Sequence, residues 1–189
     1  MKLTTVEGMT SEIFVPLTPD PVFTELKKPL SECKVAFITA GGIHNKNQTP
    51  FNTSGDFSYR TIKFDDPSSE LMVTHGGFDN SDINKDVNAM LPVDRLHELV
   101  KEGFIGSLPE ETYTFMGGGG NVEKFKNETG PEIARKLKEQ GVDIVLCTGG
   151  CGTCHRSATI VTRACEAEGM SCCVIAALPP IARQQGAPR

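Results

Sequence analysis

DIVLCTGGCGTCHRSATIVTRACEAE, residues 143–168, reads as a buried strand, a sharp glycine turn carrying two cysteines, and a helix. Ile144, Val145, Leu146 and Cys147 form a short continuous apolar run of the kind buried in a parallel sheet. Gly149 and Gly150 then allow positive backbone dihedrals and a close approach of main chain above the strand's carboxyl end. Helical spacing resumes with Ile160, Val161, Ala164 and Cys165 on one stripe, and Gly169 terminates it. Cys151 and Cys154, with Gly152 in the turn between them, are thereby expected at a helix amino terminus. Unpaired amides and the helix dipole favour an anion there, which biases a thiol toward thiolate, the attacking form. Cys151 is the candidate nucleophile. Cys154, one helical turn on, is the candidate resolving thiol, able to close a disulfide with it.

Working outward, residues 131–140 carry Ile133, Ala134 and Leu137 on one face before Gly141, a helix that feeds the strand. Residues 172–176 form another apolar strand, with room for a short helix after Pro180. KVAFITA, residues 34–40, ends in Gly41-Gly42 and reads as a first parallel strand. Further strands are expected over 60–64, 71–74 and 113–116, and a helix over 93–101 ended by Gly103. Strands alternating with helices imply an α/β class: one three-layer, Rossmann-like domain over residues 31–189 with a mostly parallel sheet. Residues 1–30 hold four prolines and read as an extended N-terminal arm.

Ligands of such sheets bind beyond the strands' carboxyl ends, so His44, His75 and Cys151, which all follow apolar strands, are expected to converge on one rim. His155 is a candidate for acidifying a thiol or donating a proton, and Arg156 for holding a substrate carboxylate through its forked donors. The polar residues 45–59 form a long loop of the kind that carries function. Asp79, Asp82 and Asp86 lie near His75 but lack the calcium-loop pattern, which makes caps and turns the better reading. Gly117 to Gly120 lack a following Lys-Ser/Thr and read as a flexible loop.

The composition narrows the function classes. With 19 Lys and Arg against 24 Asp and Glu the net charge is −5, and no basic stripe with interleaved aromatics supports nucleic-acid binding. The amino terminus lacks the apolar core of a signal peptide, and no stretch approaches the roughly 20 apolar residues of a membrane span. Seven cysteines, an odd number concentrated near the carboxyl end, fit a reducing cytoplasm better than a secreted disulfide framework.

Several long blocks occur in order: KVAFITAGGIH (34–44), TPFNTSGDFSYR (49–60), THGGFDNSDINKDVNAMLPVDRLHEL (74–99), GSLPEETYTFMG (106–117) and GVDIVLCTGGCGTC (141–154). In these blocks the chain resembles the B component of the glycine, sarcosine, betaine and D-proline reductases, usually selenoproteins. The resemblance places Cys151 at the family's selenocysteine position and Cys154 at its following cysteine. It implies reductive cleavage of a carbon–nitrogen bond next to a carboxylate in an amino-acid-like substrate. The amine would be held on a pyruvoyl group carried by a partner subunit, with no cofactor bound by this chain. It further implies an oligomeric complex and a thioredoxin-like or dithiol reductant that restores the pair. Two features depart from the pattern. A thiol is less acidic than a selenol, and Ser157 stands where glycine-type members often have a further cysteine, which is nearer the proline-type arrangement. The end at Arg189 is also short for such relatives.

Other readings of the cysteines compete. Cys147, Cys151 and Cys154 have the spacing of a radical iron–sulfur motif, but Cys147 belongs to the strand and too few residues follow to build the usual barrel. Structural zinc needs four ligands, and Cys151, Cys154 and His155 lack a fourth unless Cys33 or His75 approaches in space. Cys165, Cys172 and Cys173 read as core packing. The leading function is a thiol-dependent amino-acid reductase subunit. The alternatives are a general disulfide oxidoreductase or redox sensor, and a non-catalytic subunit that binds a metal or partner.

Overall fold

All five residues of β1 (Val35–Thr39) are buried, the outcome for a strand covered on both faces. Ala36 and Ile38 enter one apolar cluster and Val35 and Phe37 another, because successive side chains leave opposite faces. The computed structural model describes residues 22–117 and 122–189. Most of the expected N-terminal arm and Gly118 to Gly120 lie outside the described residues.

The chain order is β1, β2 (Ile43–Asn45), β3 (Tyr59–Lys63), β4 (Leu71–Val73), α1 (Val93–Lys101), β5 (Glu111–Phe115) and α2 (Val122–Lys124). The last of these continues through a π-helical turn into α3 (Gly130–Glu139), followed by β6 (Ile144–Gly149), α4 (Gly152–Ala167), β7 (Ser171–Ala176) and α5 (Pro179–Gln184). Five strands form one sheet in the order β3-β5-β1-β6-β7. β1 pairs in parallel with β5 and β6, and β6 with β7, while β3 runs antiparallel to β5 at the edge. Residues of α3, α4 and α5 cover one face of the sheet, and α1 with a second, two-stranded sheet covers the other. The three-layer α/β architecture expected from the sequence is the one observed. Among the described residues no helix is long and apolar enough to cross a membrane.

The strand expected over 71–74 forms, but it pairs antiparallel with β2 in the separate sheet. The sequence reading did not anticipate β2 at all. Gly42 makes it possible: with φ at 76° it reverses the chain after β1, and a side chain there would lie 2.5 Å from the Thr74 carbonyl oxygen. Thr74 N–H donates to Gly42 O at 2.9 Å and fixes the residue that precedes His75.

The helix after the cysteines is buried on more sides than one apolar stripe requires: every residue from Cys154 to Thr162 is buried. Three of its hydroxyls are satisfied within the helix. Ser157, Thr159 and Thr162 hydroxyls donate to the carbonyls of Thr153, His155 and Ala158, at 3.2, 2.8 and 3.0 Å. Cys147, Cys165 and Cys172 lie in the same core, whereas Cys173 is half-buried on the opposite side of β7.

Near its other end α4 holds Glu166, which is almost wholly buried. Its carboxylate accepts from Cys172 N–H and from Arg189 Nη2, both at 2.8 Å, and from Thr24 N–H. This one anion ties the segment preceding β1 and the residue Arg189 to α4 and β7. Glu166→Ala strands these donors, and is expected to lower stability by about 3 kcal/mol, read as a Tm fall of about 6–12 °C by calorimetry.

Candidate active site

β6 delivers the chain to the sheet's carboxyl edge beside β1, where strand order reverses, and Gly149 and Gly150 follow at once. Neither glycine takes a positive φ. Their role is close approach: a side chain on Gly150 would enter the Phe78 ring, and one on Gly149 would meet the Cys154 side chain at 2.9 Å. Cys151 is the N-cap of α4, in extended backbone, with Sγ accepting from Cys154 N–H at 3.4 Å. A sulfur thus does what a serine or aspartate oxygen usually does at a helix start.

Four donors converge on Cys151 Sγ. Cys154 Sγ is 3.0 Å away, Thr153 Oγ1 3.1 Å, the Cys154 amide 3.4 Å and His75 Nε2 3.9 Å. The hydrogen bond from Cys154, followed by those from His75, Thr153 and the amide, outweighs burial and lowers the Cys151 pKa to about 3. Cys154 is pushed well above the ordinary thiol range, first because it donates to Cys151 and then because it is buried at 0% exposure. The two thiols are therefore unequal: a half-exposed thiolate and an enclosed, protonated neighbour.

The tautomer of His75 follows from its partners. Gly77 N–H donates to Nδ1 at 2.8 Å, so Nδ1 is the acceptor and the proton sits on Nε2, which lies 3.0 Å from Cys154 Sγ. The ring packs on Phe78 at 4.6 Å, and Asn80 Nδ2 donates to the His75 carbonyl at 3.0 Å. His75 Nε2 and the two sulfurs lie within 4.8 Å of one another, the one cluster among the described residues that could gather three metal ligands. As an Nε2 metal ligand His75 would need its proton on Nδ1, where it would face the Gly77 amide, and a structural zinc would need a fourth ligand.

The other sequence candidates are placed as follows. His44, on β2, is fully buried; Nδ1 bonds Asn45 O and Nε2 bonds Thr74 Oγ1, each at 2.8 Å, so it braces the residue behind His75. His155 is also fully buried, with Nδ1 on Cys151 O at 2.6 Å and Nε2 accepting from Leu178 N–H at 3.2 Å. Both nitrogens of both rings are engaged away from the sulfurs. Arg156 is 3% exposed, which leaves little guanidinium surface for an incoming carboxylate. Gly152 opens α4 beside Ile181. Asp79 and Asp86 accept from Ser81 and Asn88 amides, and Asp82 pairs with Lys85, as turn and cap residues do. Thr153, Gly77, Phe78 and Gly117 belong to the site and were not picked out from the sequence. Thr153 was open to notice, lying between the two cysteines.

Alkylation of Cys151 by iodoacetamide should stay near its maximum across neutral and mildly acidic pH. Because the pKa is lowered, reactivity is lost only as pH falls toward about 3. Cys154→Ala removes the strongest donor and moves that midpoint upward, read from the pH dependence of the rate.

A family model described as glycine/sarcosine/betaine reductase selenoprotein B matches residues 5–150. The chain is 56% identical over 187 residues to D-proline reductase subunit gamma of Acetoanaerobium sticklandii, which covers 99% of this chain and 77% of that one. It is 34% identical over 196 residues to glycine reductase complex component B subunit gamma of Carboxydothermus hydrogenoformans, covering 97% of this chain and 43% of that one. For sarcosine reductase complex component B subunit beta of Peptoclostridium acidaminophilum the identity is 30% over 194 residues, covering 97% and 44%. The chain thus spans most of the first relative's length and less than half of the other two. No solved structure matches it. The match over residues 5–150, together with a 56% identical relative aligned over 99% of this chain, shows that the chain belongs to the glycine/sarcosine/betaine reductase selenoprotein B family.

Proposed function

We propose that this protein is the thiol-bearing subunit of an amino-acid reductase of the D-proline type. The observation that carries the reading is the unequal sulfur pair, Cys151 as thiolate and Cys154 as thiol, 3.0 Å apart. The choice of D-proline over glycine rests on the higher identity to the D-proline reductase subunit. A pyruvoyl group on a partner subunit would supply an electron-withdrawing anchor for the substrate amine. This chain supplies the sulfurs.

In the first step Cys151 Sγ bonds to the carbon next to the carboxylate as the carbon–nitrogen bond breaks; the electron pair leaves with nitrogen, which takes a proton. In the second, Cys154 gives up its proton and attacks Cys151 Sγ. The sulfur–sulfur bond forms, the sulfur–carbon bond breaks, and the carbon takes the electron pair and a proton. The substrate gains two electrons and two protons, opening a proline ring to a linear amino acid, and the thiols become a disulfide. Closing it shortens the sulfur separation from 3.0 Å to about 2.05 Å, a small shift. A thioredoxin-like protein or small dithiol then restores the pair.

The test is mass spectrometry of the protein during turnover with its partner subunit, D-proline and a dithiol. A substrate adduct or a disulfide mapped to Cys151 is expected. Unmodified thiols throughout active turnover overturn the reading. Reduction of protein disulfides without any action on D-proline would favour a general disulfide oxidoreductase instead.

A further inference from the structure

We infer that His75 is the catalytic donor of the second step, holding the Cys154 thiolate while it attacks, and only one of several donors to Cys151 in the first. The inference rests on the thiol reading above and assigns its two half-reactions to different donors. Nε2 of His75 lies 3.0 Å from Cys154 Sγ and 3.9 Å from Cys151 Sγ. The Gly77 amide holds the ring proton on Nε2, so toward sulfur the imidazole can only donate.

The need for a donor shifts during the reaction. At rest the negative charge is on Cys151, which receives Cys154 S–H, the Thr153 hydroxyl and the Cys154 amide at 3.0–3.4 Å and His75 only at 3.9 Å. Once Cys151 is bonded to carbon its charge is gone, and with it the main cause that holds the Cys154 proton in place. What remains is burial, opposed by hydrogen bonds from the Gly150 and Cys151 amides: Cys154 is fully enclosed, so its thiolate forms only where nearby donors replace water. His75 Nε2–H, at 3.0 Å, is the side-chain donor among them.

A chromogenic aryl disulfide (dithiobis-nitrobenzoate) separates the two steps without substrate or partner. Cys151 thiolate attacks one probe sulfur and releases the first aryl thiolate. Cys154 then loses its proton to solvent, attacks Cys151 Sγ and releases the second. Each cysteine gives one electron, and the probe leaves as two aryl thiols. In stopped flow at pH 7, where the Cys154 thiol, the Thr153 hydroxyl and the Cys154 amide still hold Cys151 as thiolate, His75→Phe is expected to slow the second phase about 30-fold, the scale of a hydrogen bond to a charged group, and the first far less. The mixed disulfide on Cys151 then accumulates by mass. His75→Gln, which keeps an N–H donor, restores most of the second phase. Should His75→Phe not fold, His75→Asn is read in its place, since its shorter amide cannot reach the sulfur. A slowed first phase with a normal second, or equal slowing of both at unchanged Tm, overturns the inference. Failure of the underlying thiol reading looks different: the wild-type protein shows no first phase, or Cys151→Ser keeps it.

Discussion

Cys151→Ser is expected to lower D-proline reduction by the reassembled complex at least about 1,000-fold. A serine hydroxyl is protonated at neutral pH and needs a base, and the site holds none for it: His75 presents Nε2–H to the sulfurs because its other nitrogen accepts from Gly77. Cys154→Ser behaves differently. The hydroxyl still donates to Cys151, so attack proceeds, but no disulfide can form and the protein stalls as a covalent adduct on Cys151. The pair of variants is checked by turnover and by intact-protein mass. Substantial turnover in Cys151→Ser, or free thiols in stalled Cys154→Ser, would contradict the assignment of roles.

Gly117→Ala is the substitution with the largest expected effect on the fold around the site. A methyl there would lie 2.2 Å from Cys154 Cα, 2.4 Å from Cys154 N and 2.7 Å from Thr153 C. All three are backbone atoms at the start of α4, so no side chain can swing aside. The helix start must move, at a cost of about 3 kcal/mol or more and a Tm fall of about 6–12 °C. Cys151 acidity should be lost with it, because the Cys154 amide and S–H that hold the thiolate are the groups displaced. An unchanged Tm and an unchanged alkylation midpoint would show that α4 is not held by this contact.

Much of this architecture is legible in the sequence because periodicity reports burial directly. The helix expected over 93–101 is α1 as observed, and β1, β6 and β7 fall within one or two residues of their expected bounds. In the small sheet β4 was legible and β2 was not, because three residues, Ile43 to Asn45, are too few to show a period, and the Gly42 reversal that makes the strand is a property of φ. The antiparallel direction of β3 leaves no mark either, since alternation reads the same both ways. For the site, the thiols could be placed from local rules. Gly77 and Phe78 could not, because only folding brings residues 75–78 onto the 149–154 turn. His44 and His155 show the converse: a histidine beside a strand end or helix start can spend both nitrogens on neighbouring polar groups.

The ribbon of β2 and β4 has a kinetic consequence. It carries the segment with His75, while both sulfurs ride on the main sheet and α4, so electron carrying and proton placement belong to separately built pieces of chain. On the proposed mechanism, the time for which carbon stays attached to Cys151 would be governed by a part of the molecule that contains no reactive sulfur. Substitutions in the ribbon are then expected to change that dwell more than they change the first attack, because His75 lies 3.0 Å from Cys154 Sγ and 3.9 Å from Cys151 Sγ.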